Sequence, residues 1–313
     1  MPYSILSLSS NQEQTVESEK ALSAFHFEKK EAAAVFPLCM YHIQESVPAH
    51  ISPFVFRFQK ILGILLYVWE HFPIKKVSFF LPFRFHRIKL VKTDLSAKLG
   101  KGEPLVLIYH THGSETYKKV NGEEGSVIEV GTVLQKELET VYGIKTIHDT
   151  SVYDMVDGQL DRNAAYNFAG DSVEAALKKN PSVKVVIDLH RDSVESSIHL
   201  RTKINGKSTA QIMFFNGVSR LAKKGDIGYL YNPNKEGNLA FSLQMQLLCG
   251  KYYPDLTRKI YIKGYRYNLH LVKRAMLVEV GAQNNTVKEA ENAMKPLAEM
   301  LYRLLSGEKS YKK

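Results

Sequence analysis

Histidines and carboxylates gather just past three apolar runs of this chain. LVLIYHTHGSE supplies His110, His112 and Glu115; VKVVIDLHRDS supplies Asp188, His190, Arg191 and Asp192; AMLVEVGAQNN supplies Glu279. Two imidazoles and a carboxylate are the donor set of a catalytic zinc ion that keeps one coordination position open for water. Such a metal polarises an amide carbonyl and lowers the pKa of its water from about 15.7 toward about 7. A further carboxylate, not itself a ligand, would take the water's proton and pass it to the leaving nitrogen. Glu279 suits that part, because Met276 to Val280 is otherwise apolar and a glutamate there needs a reason. His110, Asp188 and Asp192 are candidates to ligate or to orient a ligating imidazole. Arg191 could steady a developing oxyanion or a substrate carboxylate, or pair with Asp192. His148, His199 and His270 also fall near expected strands or loops, so spacing alone does not choose the ligands.

Residues so far apart in sequence can converge only if the fold brings the ends of their strands to one edge. From residue 100 onward, short apolar runs alternate with amphipathic stretches, the pattern of a βαβ series. Expected strands are Pro104–Tyr109, Ile144–Ile147, Val183–Leu189, Gln211–Phe215 and Ala275–Val280. Expected helices are Val130–Tyr142, Asn163–Lys179, Asn238–Lys251 and Thr286–Leu305, with Pro296 kinking the last or starting another. The fold class is therefore α/β: a twisted, mostly parallel sheet flanked by helices, with ligands bound across the carboxyl ends of its strands. No GxGxxG or Walker pattern supports nucleotide binding, and no GxSxG elbow supports a serine nucleophile.

Composition divides the chain into an N-terminal segment, 1–95, and a catalytic domain, 96–313. In the first part apolar periodicity is irregular and interrupted by Pro48, Pro53, Pro73 and Pro82. Its start is polar and acidic, unlike a secretory signal. Ile61–Trp69 reads ILGILLYVW, short for an ordinary spanning helix but long enough to lie in a membrane interface or in a core. Between His71 and Lys92 stand Lys75, Lys76, Arg84, Arg87, Lys89 and Lys92 with interleaved phenylalanines and no acid, a strip suited to an anionic membrane surface or polymer, or to a solvated linker. The formal charge of +10 favours a polyanionic partner without choosing one. Cys39 and Cys249 are isolated, so neither a disulfide framework nor a cysteine metal site is expected.

HTHGSETY, HDTSVYD, VVIDLHRDS, YNPNKEGNLAF, YPDLTRKIY, YNLHL and LVEVGAQNNTVKEA occur in the order in which the stage II sporulation protein P family carries similar blocks. The sequence resembles that family over about residues 104–305. The resemblance implies a zinc amidase-like fold and a Zn2+-dependent N-acetylmuramoyl-L-alanine amidase that also cuts stem-peptide cross-links in peptidoglycan, with a part in septal wall thinning and engulfment during sporulation. It implies His112, Glu115 and His190 as ligands and Glu279 as the catalytic carboxylate. His112 is preferred over His110 because THGS lines up with the strand-ending GHGG of related amidases. Glu129 has the more amidase-like separation, yet HTHGSE resembles the family's own motif and favours Glu115. Stage II sporulation proteins D and M are the implied partners, nucleic acid is not, and the implied location is extracytoplasmic, membrane-associated or facing the wall. Two alternatives predict other outcomes: a peptidoglycan endopeptidase or carboxypeptidase alone, or a wall-binding partner without catalysis.

Overall fold

The structure, a computed structural model, describes residues 89–309 apart from 101, 123 and 222. The apolar run at 61–69, most of the basic aromatic strip at 71–92, and Cys39 lie outside the described residues.

Mainly apolar runs, polar only toward their carboxyl ends, form the central strands, because both faces of the sheet are covered. Strand β1 is Val106–Tyr109, entirely buried. Helix α1, Val127–Thr140, starts at a capping box in which the Ser126 side chain accepts from Glu129 N and the Glu129 carboxylate accepts from Ser126 N. After β2, Thr146–His148, the hairpin of β3, Met155–Val156, and β4, Gln159–Leu160, leads into helix α2, Arg162–Lys179. Asp161 caps α2 by accepting from Asn163 N and Ala164 N, while Lys178 and Lys179 complement its carboxyl end. Strand β5, Val185–Asp192, is followed by a hairpin of β6, Arg201–Ile204, and β7, Lys207–Ala210, and then by β8, Ile212–Gly217.

Strands β9, Arg220–Leu221, and β10, Gly225–Asp226, make a small ribbon before α3, Lys235–Tyr252. Helix α3 is buried on every side from Gly237 to Cys249, as a central helix must be. Two of its buried amides find backbone partners: Gln244 Nε2 donates to Leu90 O and Thr93 O, and Asn238 Nδ2 to Val272 O. Strands β11, Tyr261–Lys263, and β12, Arg274–Ala282, precede α4, Val287–Leu305, which opens on a second capping box, Thr286 with Glu289. Pro296 lies inside α4 without ending it. The proline removes one backbone hydrogen bond, while buried Ala293, Met294, Leu297, Ala298 and Leu301 hold both halves on the same core.

The main sheet has the order β11-β8-β12-β5-β1-β2. Strands β12, β5, β1 and β2 run parallel; β8 is antiparallel to β12, and β11 follows β8. This is the mixed, mostly parallel α/β sheet that the alternation of the sequence predicts. One face carries Val106, Ile108, Val185, Ile187, Leu189, Met276, Val278 and Val280 against α1, α3 and α4. The opposite face carries Leu107, Tyr109, Val186 and Ala275 against Ala169 and Val173 of α2. Leu90, Val91 and Leu95 belong to the first of these cores, and Arg274 donates to Leu95 O and Ser96 O. Residues 90–95 thus pack with the core of the described part. Among the described residues no helix is long and apolar enough to cross a membrane.

Candidate metal centre and active site

The carboxyl ends of β1 and β5 carry the loop and the strand residues that meet. The loop following β1 is held at two points. Asp188 accepts from Thr111 N at 2.9 Å and Thr111 Oγ1 at 2.7 Å, and Asp154 accepts from Ser114 N at 3.2 Å and Ser114 Oγ at 2.6 Å. Between them Gly113 passes so close to Val152 that a Cβ there would lie 3.2 Å from Ser151 O and Val152 Cα. Two fully buried aspartates therefore fix the turn that aims His112 and Glu115 at β5.

His112, Glu115 and His190 offer one donor atom each within 4.8 Å of one another. The His112 and His190 rings meet edge to face, with centroids 5.0 Å apart. Each imidazole turns Nδ1 inward and is anchored from behind by Nε2. His112 Nδ1 lies 3.8 Å from Glu115 Oε1 while its Nε2 donates to Arg162 O at 3.4 Å. His190 Nδ1 lies 3.5 Å from Glu115 Oε2, and its Nε2 lies 2.8 Å from Asp188 Oδ1, off the axis of an aligned hydrogen bond. Glu115 is braced in turn by Arg162 Nη1 at 3.1 Å and by Arg191 N at 3.2 Å.

Two buried carboxylates, Glu115 and Asp188, flank His190. Burial would raise the Glu115 pKa, but His190 and the Arg191 amide outweigh it and hold the carboxyl at about 2. Burial likewise opposes ionisation of Asp188, and His190 with Thr111 reverses that. Two carboxylates so placed keep the His190 imidazole protonated against its own burial, well above its ordinary range. His112 shifts the other way, first by burial and then by the neighbouring His190, which leaves its Nδ1 lone pair available. A divalent cation fits this donor set: it would take the place of the His190 Nδ1 proton between the two histidines and Glu115, leaving Nε2–H to face Asp188, as metal-bound imidazoles usually face a carboxylate.

Glu279 stands on β12 directly opposite His190 of β5 in parallel register, so both project from the same face of the sheet. Its Oε2 is shielded from water and has no hydrogen-bond partner among the described residues. Burial first, then Asp192 and Glu115, push its carboxyl up to about 7 against the pull of His190 and Arg258. A carboxyl raised toward neutrality can both accept and return a proton.

The other sequence candidates go elsewhere. His110 points to the opposite side of the sheet, where Nδ1 donates to Leu189 O and Nε2 lies 2.8 Å from His148 Nε2; burial lowers its pKa to about 4. Glu129 is occupied in the cap of α1. Arg191 gives its guanidinium to two main-chain carbonyls, Thr116 O at 2.7 Å and Asp192 O at 3.2 Å, and so braces the loop below Glu115. Asp192 is paired with Arg258 Nη2 at 2.6 Å, and His199 with Glu289 at 2.8 Å. Missed in the sequence were Arg162 and Tyr166 of α2, whose first turns lie against His112 and Glu115. Asp154 was missed too, although HDTSVYD carries it.

The family described as Stage II sporulation protein P matches residues 9–302. The chain belongs to this family. Stage II sporulation protein P of Bacillus subtilis strain 168 is 29% identical over 212 residues, covering 63% of this chain and 50% of that protein. The chain thus spans about half the length of the curated relative it matches. Among solved structures, the apo form of the N-acetylmuramyl-L-alanine amidase Ami1 from Mycobacterium abscessus superposes with a TM-score of 0.36 at 14% identity, over 65% of this chain and 97% of that one. The N-acetylmuramoyl-L-alanine amidase from Clostridium difficile 630 gives 0.36 at 18% identity, over 65% and 95%. At such low global likeness the chemistry has to be read from the side chains.

Two substitutions separate the two sides of the sheet in this family member. Asp188→Ala frees the Thr111 turn and leaves His190 Nε2 without its carboxylate. Loss of such an orienting partner lowers metal affinity about 10- to 100-fold, and zinc competition against a chelator will show it; wild-type affinity would contradict the assigned part of Asp188. Gly131→Ala acts on the far side, since a Cβ there would lie 2.6 Å from His148 Nε2 and 2.7 Å from His110 Nε2. Overpacking of this kind costs about 1–3 kcal/mol, so the melting midpoint falls while zinc affinity holds. An unchanged midpoint would contradict the close approach of α1 to the histidine pair.

Proposed function

We propose that the chain is a zinc-dependent N-acetylmuramoyl-L-alanine amidase of the bacterial wall that also cuts stem-peptide cross-links, acting in wall thinning during sporulation. The observation that carries this reading is the convergence of His112, Glu115 and His190 beside Glu279, whose pKa is raised and whose Oε2 has no partner among the described residues. Membership of the family supports the setting. When bound, zinc would supply Lewis acidity toward the amide carbonyl and a water acidified to near neutral pH.

The residues of the chain do the rest. Asp188, Arg162 and Arg191 hold the three donors in place. Glu279 would take a proton at Oε2 from the water that attacks the amide carbon and return it to the leaving nitrogen as the C–N bond breaks. In the metal-free chain its burial keeps the protonated form accessible near neutrality, and a carboxyl with a raised pKa can serve both transfers. The expected setting is outside the cytoplasmic membrane, with the stretch at 50–92 against an anionic membrane surface and stage II sporulation proteins D and M as partners.

Digestion of purified sacculi by the full chain, with and without zinc, tests the reading. Mass spectrometry of the soluble products should find peptides with new L-alanine amino ends and muramic acid freed of peptide. Only split cross-links would make the chain an endopeptidase, and bound sacculi without fragments would make it a wall-binding partner.

A further inference from the structure

The face of the sheet that carries His190 and Glu279 continues past them. In register, Glu279 of β12 stands opposite Met213 of β8, Leu277 opposite Phe215, and Phe215 opposite Tyr261 of β11. His190, Glu279, Phe215 and Tyr261 therefore project to one side from four consecutive strands in the order β5, β12, β8, β11. Helix α2 packs on this face over β1, β5 and the start of β12. Beyond it lies an aromatic floor leading from the metal cluster to the sheet edge.

Ring contacts make that floor continuous, each ring meeting the next edge to face or tilted rather than stacked. His112 meets Tyr166 at 5.5 Å, Tyr166 meets Tyr267 at 5.4 Å, Tyr267 meets Phe215 at 4.8 Å, and Phe215 meets Tyr261 at 5.5 Å. Phe215 is buried, Tyr166 and Tyr267 are half-buried, and Tyr261 is 41% exposed on the edge strand. Lys263 Nζ lies 5.3 Å from the Tyr261 ring.

The loop that brings Tyr267 here is built with some strain. Tyr267 and Asn268 both adopt left-handed backbone, with φ of 49° and 54°, a conformation uncommon for asparagine and unusual for a bulky tyrosine. Asn268 Nδ2 ties the loop to Tyr166 O at 2.7 Å. Gly217 makes room for it, since a Cβ there would fall 2.4 Å from Tyr265 O and 2.8 Å from Tyr267 Cδ2. Two separate devices thus press a tyrosine ring against the floor.

We infer that Tyr261 and Tyr267 form a saccharide subsite that stacks the glycan strand carrying the scissile amide. This rests on the reading of the site given above, in which the bond cut joins a wall sugar to a peptide, so a sugar must lie beside the metal cluster. A pyranose offers a flat face of C–H groups with its hydroxyls at the rim. Tyrosine rings match such a ligand because they combine an apolar face with a polar edge at little conformational cost. Continuity of the floor with His112 makes the strand, rather than a detached ligand, its occupant.

The test titrates the full chain with the tetramer of N-acetylglucosamine, a peptide-free probe, following binding by calorimetry with and without zinc. Wild type should bind saturably in both conditions. Tyr261→Ala should weaken binding about tenfold or more, and Tyr261→Phe, which keeps the ring, should stay near wild type. On substrates, Tyr261→Ala should raise KM more for polymeric strands than for a single N-acetylmuramoyl-peptide. Absence of saturable binding by wild type, equal binding by Tyr261→Ala, or an equal KM rise on both substrates would each overturn the subsite. Binding that needs Tyr261 in a protein that releases no L-alanine ends would uphold the subsite and overturn the amidase reading. Tyr261 is an exposed edge residue, so its variants are expected to fold.

Discussion

Glu279→Gln should lower turnover on a defined muropeptide by about 10²- to 10⁴-fold, the usual effect of removing a positioned acid–base group. Zinc content should stay near one per chain, because the proposed ligands His112, Glu115 and His190 are untouched. Gln keeps the shape of the side chain and removes only the ionisation. Stability supplies an independent readout in the metal-free chain. There the Glu279 carboxyl sits at about 7, above its ordinary 4.5. A raised pKa means that the folded state holds the proton more tightly than the unfolded one. The stabilisation is complete below about pH 4.5 and is lost as pH rises through about 7. Urea melts of the metal-free wild type should therefore lose stability relative to Glu279→Gln across that window. Parallel curves would remove the buried, raised carboxyl. In the zinc-loaded protein the nearby dication lowers this pKa, so turnover should rise with pH through a midpoint below that of the metal-free chain. A Gln variant keeping more than about a third of wild-type turnover, against that expected loss, would take Glu279 out of the chemistry.

What the sequence revealed follows from how the sheet is covered. The central strands carry helices on both faces, so Val106–Tyr109, Val185–Leu189 and Arg274–Ala282 read as apolar runs, and their polar ends stand out. Asp188 and His190 keep the alternation of β5, and register alone then sets Glu279 beside His190. The ambiguity between His110 and His112 came from that same alternation. If β1 had continued, the two would share a face. Instead the strand ends at Tyr109. His110 follows Ile108 toward α1 and Gly131, and the turn at 111–114 carries His112 over to the other side. Glu129 had a local signal that spacing among relatives obscured: Ser126 and Glu129 form an S-x-x-E capping box ahead of an apolar stretch. Arg162, Tyr166 and Tyr267 had no local signal. Their closeness to the site depends on where α2 begins and on a left-handed loop, both of which are set by long-range packing.

The histidines allow the sharpest division between metal binding and support. His112→Ala and His190→Ala should each bring zinc well below one per chain and turnover to near background, since each removes one of three donors that lie within 4.8 Å. His190→Ala should have the larger effect on the fold. It leaves Asp188 and Glu115 as buried carboxylates without the cation between them, and an uncompensated buried charge costs about 3–5 kcal/mol. His112 is near the surface at 12% side-chain exposure and carries no such obligation, so its variant should melt close to wild type. His110→Ala inverts the pattern. It removes a buried ring that donates to Leu189 O and contacts His148, so the melting midpoint falls. Zinc should remain, because the ring lies across the sheet from the cluster. Metal analysis, melting curves and turnover on one preparation of each variant distinguish these cases. Loss of zinc in His110→Ala with retention in His112→Ala would exchange their parts and move the metal to the α1 side of the sheet.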